Sequence, residues 1–228
     1  MASKNTHYQE NSFSPWEAFQ WIQGEAFRHI KKQNWLEESD FEPFENIFKI
    51  RFSENLQKVK PLINNDLDKG NVSFAVLAVS LYEAFLQVGV PQKTALLQTE
   101  ESINAPIYNF VAEGTEKMLD SAENPLKTLV NISKSREKDY FGDSFSFERL
   151  IDSDFGYVLH IKKCLFHQTL QLLDRTDLQP IICRMDLAWI NGIKPEKHGV
   201  RFVRPVTFAS GNCCQFWFMK EENPNFGE

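Results

Sequence analysis

All four cysteines of this sequence lie in its last third, and three of them, Cys164, Cys183 and Cys214, stand near residues that can move protons or hold charge. Cys183 and Asp186 are three apart in the apolar stretch 181–189, a spacing that puts both on one face of a helix. A carboxylate among apolar neighbours needs a partner. Asp186 is therefore either a structural ion pair with Arg184, Arg201 or Arg204, or a general acid/base whose pKa burial raises. A cysteine nucleophile activated by His160 or His167 is a second chemistry these residue types allow. Three thiols with a His or Asp are also the ligand types of a zinc site. Their separations of 19 and 31 residues, however, match no zinc finger or ribbon. Free cysteines also serve as small buried hydrophobes, and His160 has a structural reading as a strand-face histidine.

The elements that must position these groups follow from periodicity. Ser144 to Ile151 and Gly156 to Lys163 alternate as strands, the second with His160 and Lys162 on one face and Tyr157, Leu159 and Ile161 on the other. Cys164 to Leu173 and Leu178 to Ile190 read as helices, the second stopped by Asn191-Gly192. Val200 to Val206 and Cys213 to Met219 are strands joined by a hairpin-like turn at Ala209–Asn212. Upstream the pattern is helical. Ser14-Pro15-Trp16-Glu17 is a capping box opening a helix to about Gln33, and a second helix is predicted from Pro43 to about Asn64. Asp66 to Asn71 reads as a turn before an almost wholly apolar helix, Val72 to Val88. Short helices are predicted from Pro91, from Pro106 to Leu119 and from Leu126 to Lys138. The expectation is an α+β fold, with a helical N-terminal half packed on a C-terminal antiparallel sheet with helices in the order β-β-α-α-β-β. Its parts are a disordered tail at 1–13, a helical region at 14–140 and an α+β region at 141–220, integrated as one domain.

Composition removes several classes of function. A net charge of −6 and the absence of any Lys/Arg run longer than two argue against nucleic acid or anionic membrane as partner. The most apolar window, Val72 to Val90, contains Ser73, Ser80, Glu83 and Gln87 and reads as a buried helix rather than a membrane span. Four irregularly spaced cysteines without a secretory signal predict reduced thiols and a cytoplasmic protein. No phosphate loop, nucleophile elbow, H-E-x-x-H or dinucleotide fingerprint is present. Twenty phenylalanines imply an aromatic interior or a lined pocket.

From Cys164 to Phe218 the sequence resembles the L-2-amino-thiazoline-4-carboxylic acid hydrolase family. The resemblance is carried by Lys163-Cys164-Leu165-Phe166, Ile182-Cys183-Arg184-Met185-Asp186, Val200-Arg201-Phe202-Val203-Arg204, Thr207, Gly211 and Cys214-Gln215-Phe216. Leu165 stands where Pro is common, Pro205 where Thr is usual, and Cys213 is an additional thiol. The resemblance implies a hydrolase that opens a small cyclic amidine such as a thiazoline carboxylate. In that reading Cys183 and Asp186 form a functional pair with Cys164 and Cys214 close by. His160 or His167 carries the proton, and Arg204 clamps the substrate carboxylate. More distantly, the same region is similar to 4-vinyl-reductase-type small-molecule-binding domains, which implies zinc on clustered cysteines beside an apolar pocket. Val206, eight residues before Cys214, departs from that pattern. The alternatives to a hydrolase are a non-catalytic small-molecule-binding domain or a biosynthetic tailoring enzyme on the same scaffold. All of them expect a small-molecule substrate or ligand as partner and leave the oligomeric state unknown.

Overall fold

The computed structural model describes residues 13–185 and 187–221. The tail expected at 1–13 falls almost wholly outside them, as does Asp186. The fold is α+β, with helices from α1 to α5 followed by a four-stranded antiparallel sheet.

Helix α1 (Pro15–Gln33) opens on the capping box read from sequence: the Ser14 hydroxyl accepts from the Glu17 amide, and the Glu17 carboxylate accepts from the Ser14 amide. Helix α2 (Glu38–Val59) starts five residues before the predicted Pro43. Glu38 and Asp40 in its first turn favour the amide-rich end, and Pro43 is carried within the helix. Helix α3 (Asp66–Gln87) also begins early, and the expected turn at Asp66–Asn71 is its first turn and a half. Two local causes account for this. Asn65 caps the helix by accepting from the Asp68 amide. Gly70 is there for its missing side chain, because a Cβ on it would stand 2.4 Å from the Pro15 carbonyl carbon and the Trp16 nitrogen. From Gly70 to Tyr82 every residue of α3 is buried. The helix is the centre of the helical half, packed against α1 and α2.

The two short helices expected around Pro91 and Pro106 are one 29-residue helix, α4 (Gln92–Asp120), with Pro106 inside it. Ile103 and Ile107, on either side of the proline, are both buried, and that packing holds the helix together where a backbone hydrogen bond is missing. Helix α5 (Pro125–Arg136) runs into a π-helical turn, Glu137–Phe141, whose Tyr140 carbonyl accepts a hydrogen bond from Asn71 of α3. This bond fixes the junction between the two halves.

Strands β1 (Ser146–Asp152), β2 (Gly156–Lys163), β3 (Val200–Val203) and β4 (Cys214–Lys220) form the sheet in the order β1-β2-β4-β3. Helix α6 (Leu165–Leu172) follows β2 directly. The helix expected at 178–190 is instead a 3-10 turn at Thr176–Leu178, the short helix α7 (Gln179–Met185) and a second 3-10 turn at Ala188–Gly192. A four-residue helix, α8 (Pro195–His198), precedes β3. Gly192 lies against α4, where a Cβ would meet the Ala112 carbonyl oxygen at 2.3 Å. β3 ends at Val203, short of the expected Val206, so the loop to β4 is longer than a hairpin turn. Among the described residues no helix is long and apolar enough to cross a membrane.

Candidate functional site

Register decides which predicted groups meet. Ile161 pairs with both Phe147 and Cys214, and Leu159 with Arg149 and Phe216. Directly paired residues of an antiparallel sheet share a face. Phe147, Ile161, Cys214, Leu159, Phe216, Tyr157 and Phe218 therefore line one side of the sheet. His160, paired with Glu148 and Gln215, points to the other. The structure thus places His160 on the face of the sheet opposite Cys214.

The other predicted groups converge at one end of this face. Cys164 closes β2 and caps α6, and its sulfur is near enough to Cys183 and Cys214 for their charges to act on it. Burial pushes the Cys164 thiol up to about 12; the amides of His167 and Phe166 oppose that rise, and the neighbouring thiols reinforce it. Cys164 is therefore a neutral thiol at physiological pH rather than a nucleophile. Cys183 on α7 is half-buried. Its sulfur accepts from Gln179 Nε2 at 3.2 Å, and Gln179 Oε1 lies 2.9 Å from His167 Nδ1 on α6. An amide oxygen can only accept, so the His167 Nδ1–H donates to it. The His167 ring stacks on Phe208 in the loop before β4, with centroids 5.0 Å apart.

Arg204 ties the remaining pieces together. Its Nε donates to Cys214 Sγ at 3.1 Å, and another guanidinium nitrogen donates to the Cys183 carbonyl at 2.7 Å. The same guanidinium lies over the Phe216 ring, 4.9 Å from its centroid. Cys213, the additional thiol, stands 4.0 Å from Gln215 Nε2 instead. Arg184 pairs with Glu100, and Arg201 with Glu221. Gln179 was not among the residues singled out from sequence, although its spacing four before Cys183 on a helix was a readable signal.

The thiols do not by themselves fit zinc. Among the described residues no group of three or more His, Cys, Asp or Glu side chains could hold a metal ion. A guanidinium donor occupies a bonding position at Cys214. Zinc ligation needs thiolates instead.

At the opposite end of the same face is a second polar cluster. Glu137, in the π-helical turn, is paired with Arg149 of β1 and accepts from the Tyr157 hydroxyl at 2.9 Å. Tyr157 has no exposed surface, and burial first, then the Glu137 charge, pushes it up to about 12. Between the two ends lies a cavity with about 70 Å³ open to the centre of a water molecule. It is walled by α4, α5 and the sheet, with Leu159, Ile161, Phe216 and Trp189 in its lining. That space holds several waters or the body of a small organic molecule.

A model of the family described as L-2-amino-thiazoline-4-carboxylic acid hydrolase matches residues 70–218, from within α3 through most of β4, and includes the thiol cluster and the Glu137, Arg149 and Tyr157 cluster. None of the curated proteins matches the chain. Among solved structures, an Fe(II) unliganded H-NOX protein from K. algicida aligns over 78% of this chain and 98% of its own, with 12% identity and a TM-score of 0.26.

Proposed function

Since the chain belongs to the L-2-amino-thiazoline-4-carboxylic acid hydrolase family, we propose that it is a hydrolase that opens a small cyclic amidine of that kind at a ring C–N bond. The observation that carries this reading is the convergence of Cys164, Cys183 and Cys214, with Arg204 spanning Cys214 and the Cys183 carbonyl.

In this proposal the Cys183 sulfur attacks the amidine carbon after giving its proton to His167 Nε2 through an intervening water. The ring C–N bond breaks, and the departing nitrogen takes that proton. Water then adds to the same carbon and expels Cys183 as a thiol, leaving a carbamoyl-cysteine-type product. The net change is the addition of one water, without oxidation or reduction. Gln179 holds the Cys183 sulfur and sets the His167 tautomer. Neutral Cys164 keeps a second negative charge from forming beside Cys183. Arg204 brings a cation to the cluster and meets the substrate carboxylate. Asp186, three residues beyond Cys183 in sequence, is assigned the second proton-transfer role. The reaction fits a protein working in the cytoplasm, where thiols stay reduced.

The test is turnover of 2-amino-thiazoline-4-carboxylate by the native protein, Cys183→Ser and Asp186→Asn, with mass spectrometry of the native protein quenched during turnover. The reading expects an adduct on Cys183 and no turnover in Cys183→Ser. Full activity in that variant would end it. A second reading, a non-catalytic binding domain or a tailoring enzyme with other chemistry, is favoured by the apolar cavity beneath the sheet.

A further inference from the structure

We propose that the apolar space beneath the sheet binds an amphipathic carboxylic acid, with its acid group on Arg136 and its apolar body in the cavity. This deepens the binding reading by naming the ligand chemistry and its anchor, and it holds whether or not the thiols are catalytic.

Two cavities meet at Arg136. The one beneath the sheet and a second of about 80 Å³, between α1, α4 and the π-helical turn, share Arg136 and Trp189 as lining residues. Among the described residues, Arg136 and Glu137 are the only charged ones in the first lining, and Arg136 is the only one in the second. Glu137 is already neutralised by Arg149 and bonded by Tyr157, so it neither pairs with Arg136 nor repels an incoming anion. Among the described residues none forms an ion pair or hydrogen bond with Arg136. Its guanidinium instead lies over the Tyr140 ring at 4.4 Å and the Phe141 ring at 5.8 Å. Stacking of this kind fixes the plane of a guanidinium and leaves its edge donors available for two parallel hydrogen bonds to a carboxylate. Asn71, bonded to the Tyr140 carbonyl, holds the ring on which Arg136 lies. The result is a preset cation at the edge of a space lined otherwise by apolar and aromatic side chains, which is the pattern that selects a ligand with one acidic end.

The probe is octanoate, compared with 1-octanol, by titration calorimetry and thermal shift on the full chain. Octanoate is expected to bind saturably and at least tenfold more tightly than octanol. Arg136→Gln should lose that preference, with octanoate falling to the octanol affinity. Arg136→Lys should keep part of it, because charge remains but the planar stack does not. Ile132→Trp, which fills the cavity beneath the sheet, should abolish binding of both. Cys183→Ser should bind octanoate as the native protein does, which separates this site from the thiol cluster. The proposal is overturned if the native protein shows no saturable octanoate binding, if Arg136→Gln binds octanoate as tightly as native, or if Cys183→Ser loses it.

Discussion

The two ends of the inner sheet face hold polar groups in opposite ways. At one end Glu137, Arg149 and Tyr157 form a closed set in which a carboxylate has a cation and a hydroxyl, and the Glu137 side chain is only 10% exposed. At the other, Cys183 stays half-buried, and its sulfur is held by an uncharged amide that is itself hydrogen-bonded to the His167 imidazole. Full charges that are buried must be matched, and once matched they are costly to disturb. Thiols, amides and imidazoles carry a smaller desolvation cost, so they can remain partly open and reactive. The contrast makes the carboxylate end structural and leaves the thiol end as the place where chemistry is proposed; of the two clusters only Glu137 lines the cavity beneath the sheet.

This contrast can be broken by substitution. The largest effect is expected for His167→Phe, which should lower kcat for thiazoline opening by about 10²-fold or more while leaving the melting temperature nearly unchanged. A loss of stability with turnover intact would place His167 in the structural class instead. Tyr157→Phe should do the reverse. It takes one hydrogen bond from buried Glu137 and should cost about 2 kcal/mol in urea unfolding, with turnover as native.

Alkaline titration sharpens the comparison, because both ends hold an acid whose folded pKa is raised. Cys164 rises from 9.0 to about 12 and Tyr157 from 10.0 to about 12. For each, the native state keeps its proton after the unfolded chain has lost it. The stabilisation is whole below the unfolded value and is lost as pH climbs through the window to about 12. Stability should therefore fall from about pH 9 upward. Cys164→Ala should flatten the early part of that fall and Tyr157→Phe the part above pH 10, as read from urea midpoints at successive pH values. The same raised pKa predicts that Cys164, although half-buried like Cys183, resists alkylation at pH 8. The smallest effect belongs to a control far from both ends. Ser14→Ala removes an exposed cap and should cost about 1 kcal/mol without altering turnover or alkylation.

Local signals in the sequence were readable where a single element creates them. The capping box at Ser14 and the strand at Gly156–Lys163 follow from short-range pattern, as did the split of β2 into a His160 face and a Leu159 face. What could not be read was which face would meet Cys214, since that depends on β4 pairing with β2 across about fifty residues. Without the register, His160 and His167 were equal candidates. The Gly70-Asn71 pair resembled a turn because a glycine chosen for close helix contact is indistinguishable in sequence from one chosen for its backbone freedom. Pro106 misled in the same way, as its neighbours Ile103 and Ile107 are buried only through tertiary packing. The Glu137, Arg149 and Tyr157 cluster draws on three elements with no shared spacing and left no trace in the sequence.

The stretch shared with the family begins at Gly70, inside α3, where Pro15 and Trp16 lie against the glycine. The matched stretch is consequently not a self-contained packing unit. A polypeptide trimmed to it would start partway along a helix that is buried on nearly every side, without its Asn65 cap or the two helices that cover it, and would expose a greasy surface prone to aggregation. An exchange of N-terminal segments between family members could succeed only if the incoming helix offered bare backbone at the same crossing. Gly70 thus limits which leading segments can pack against this helix.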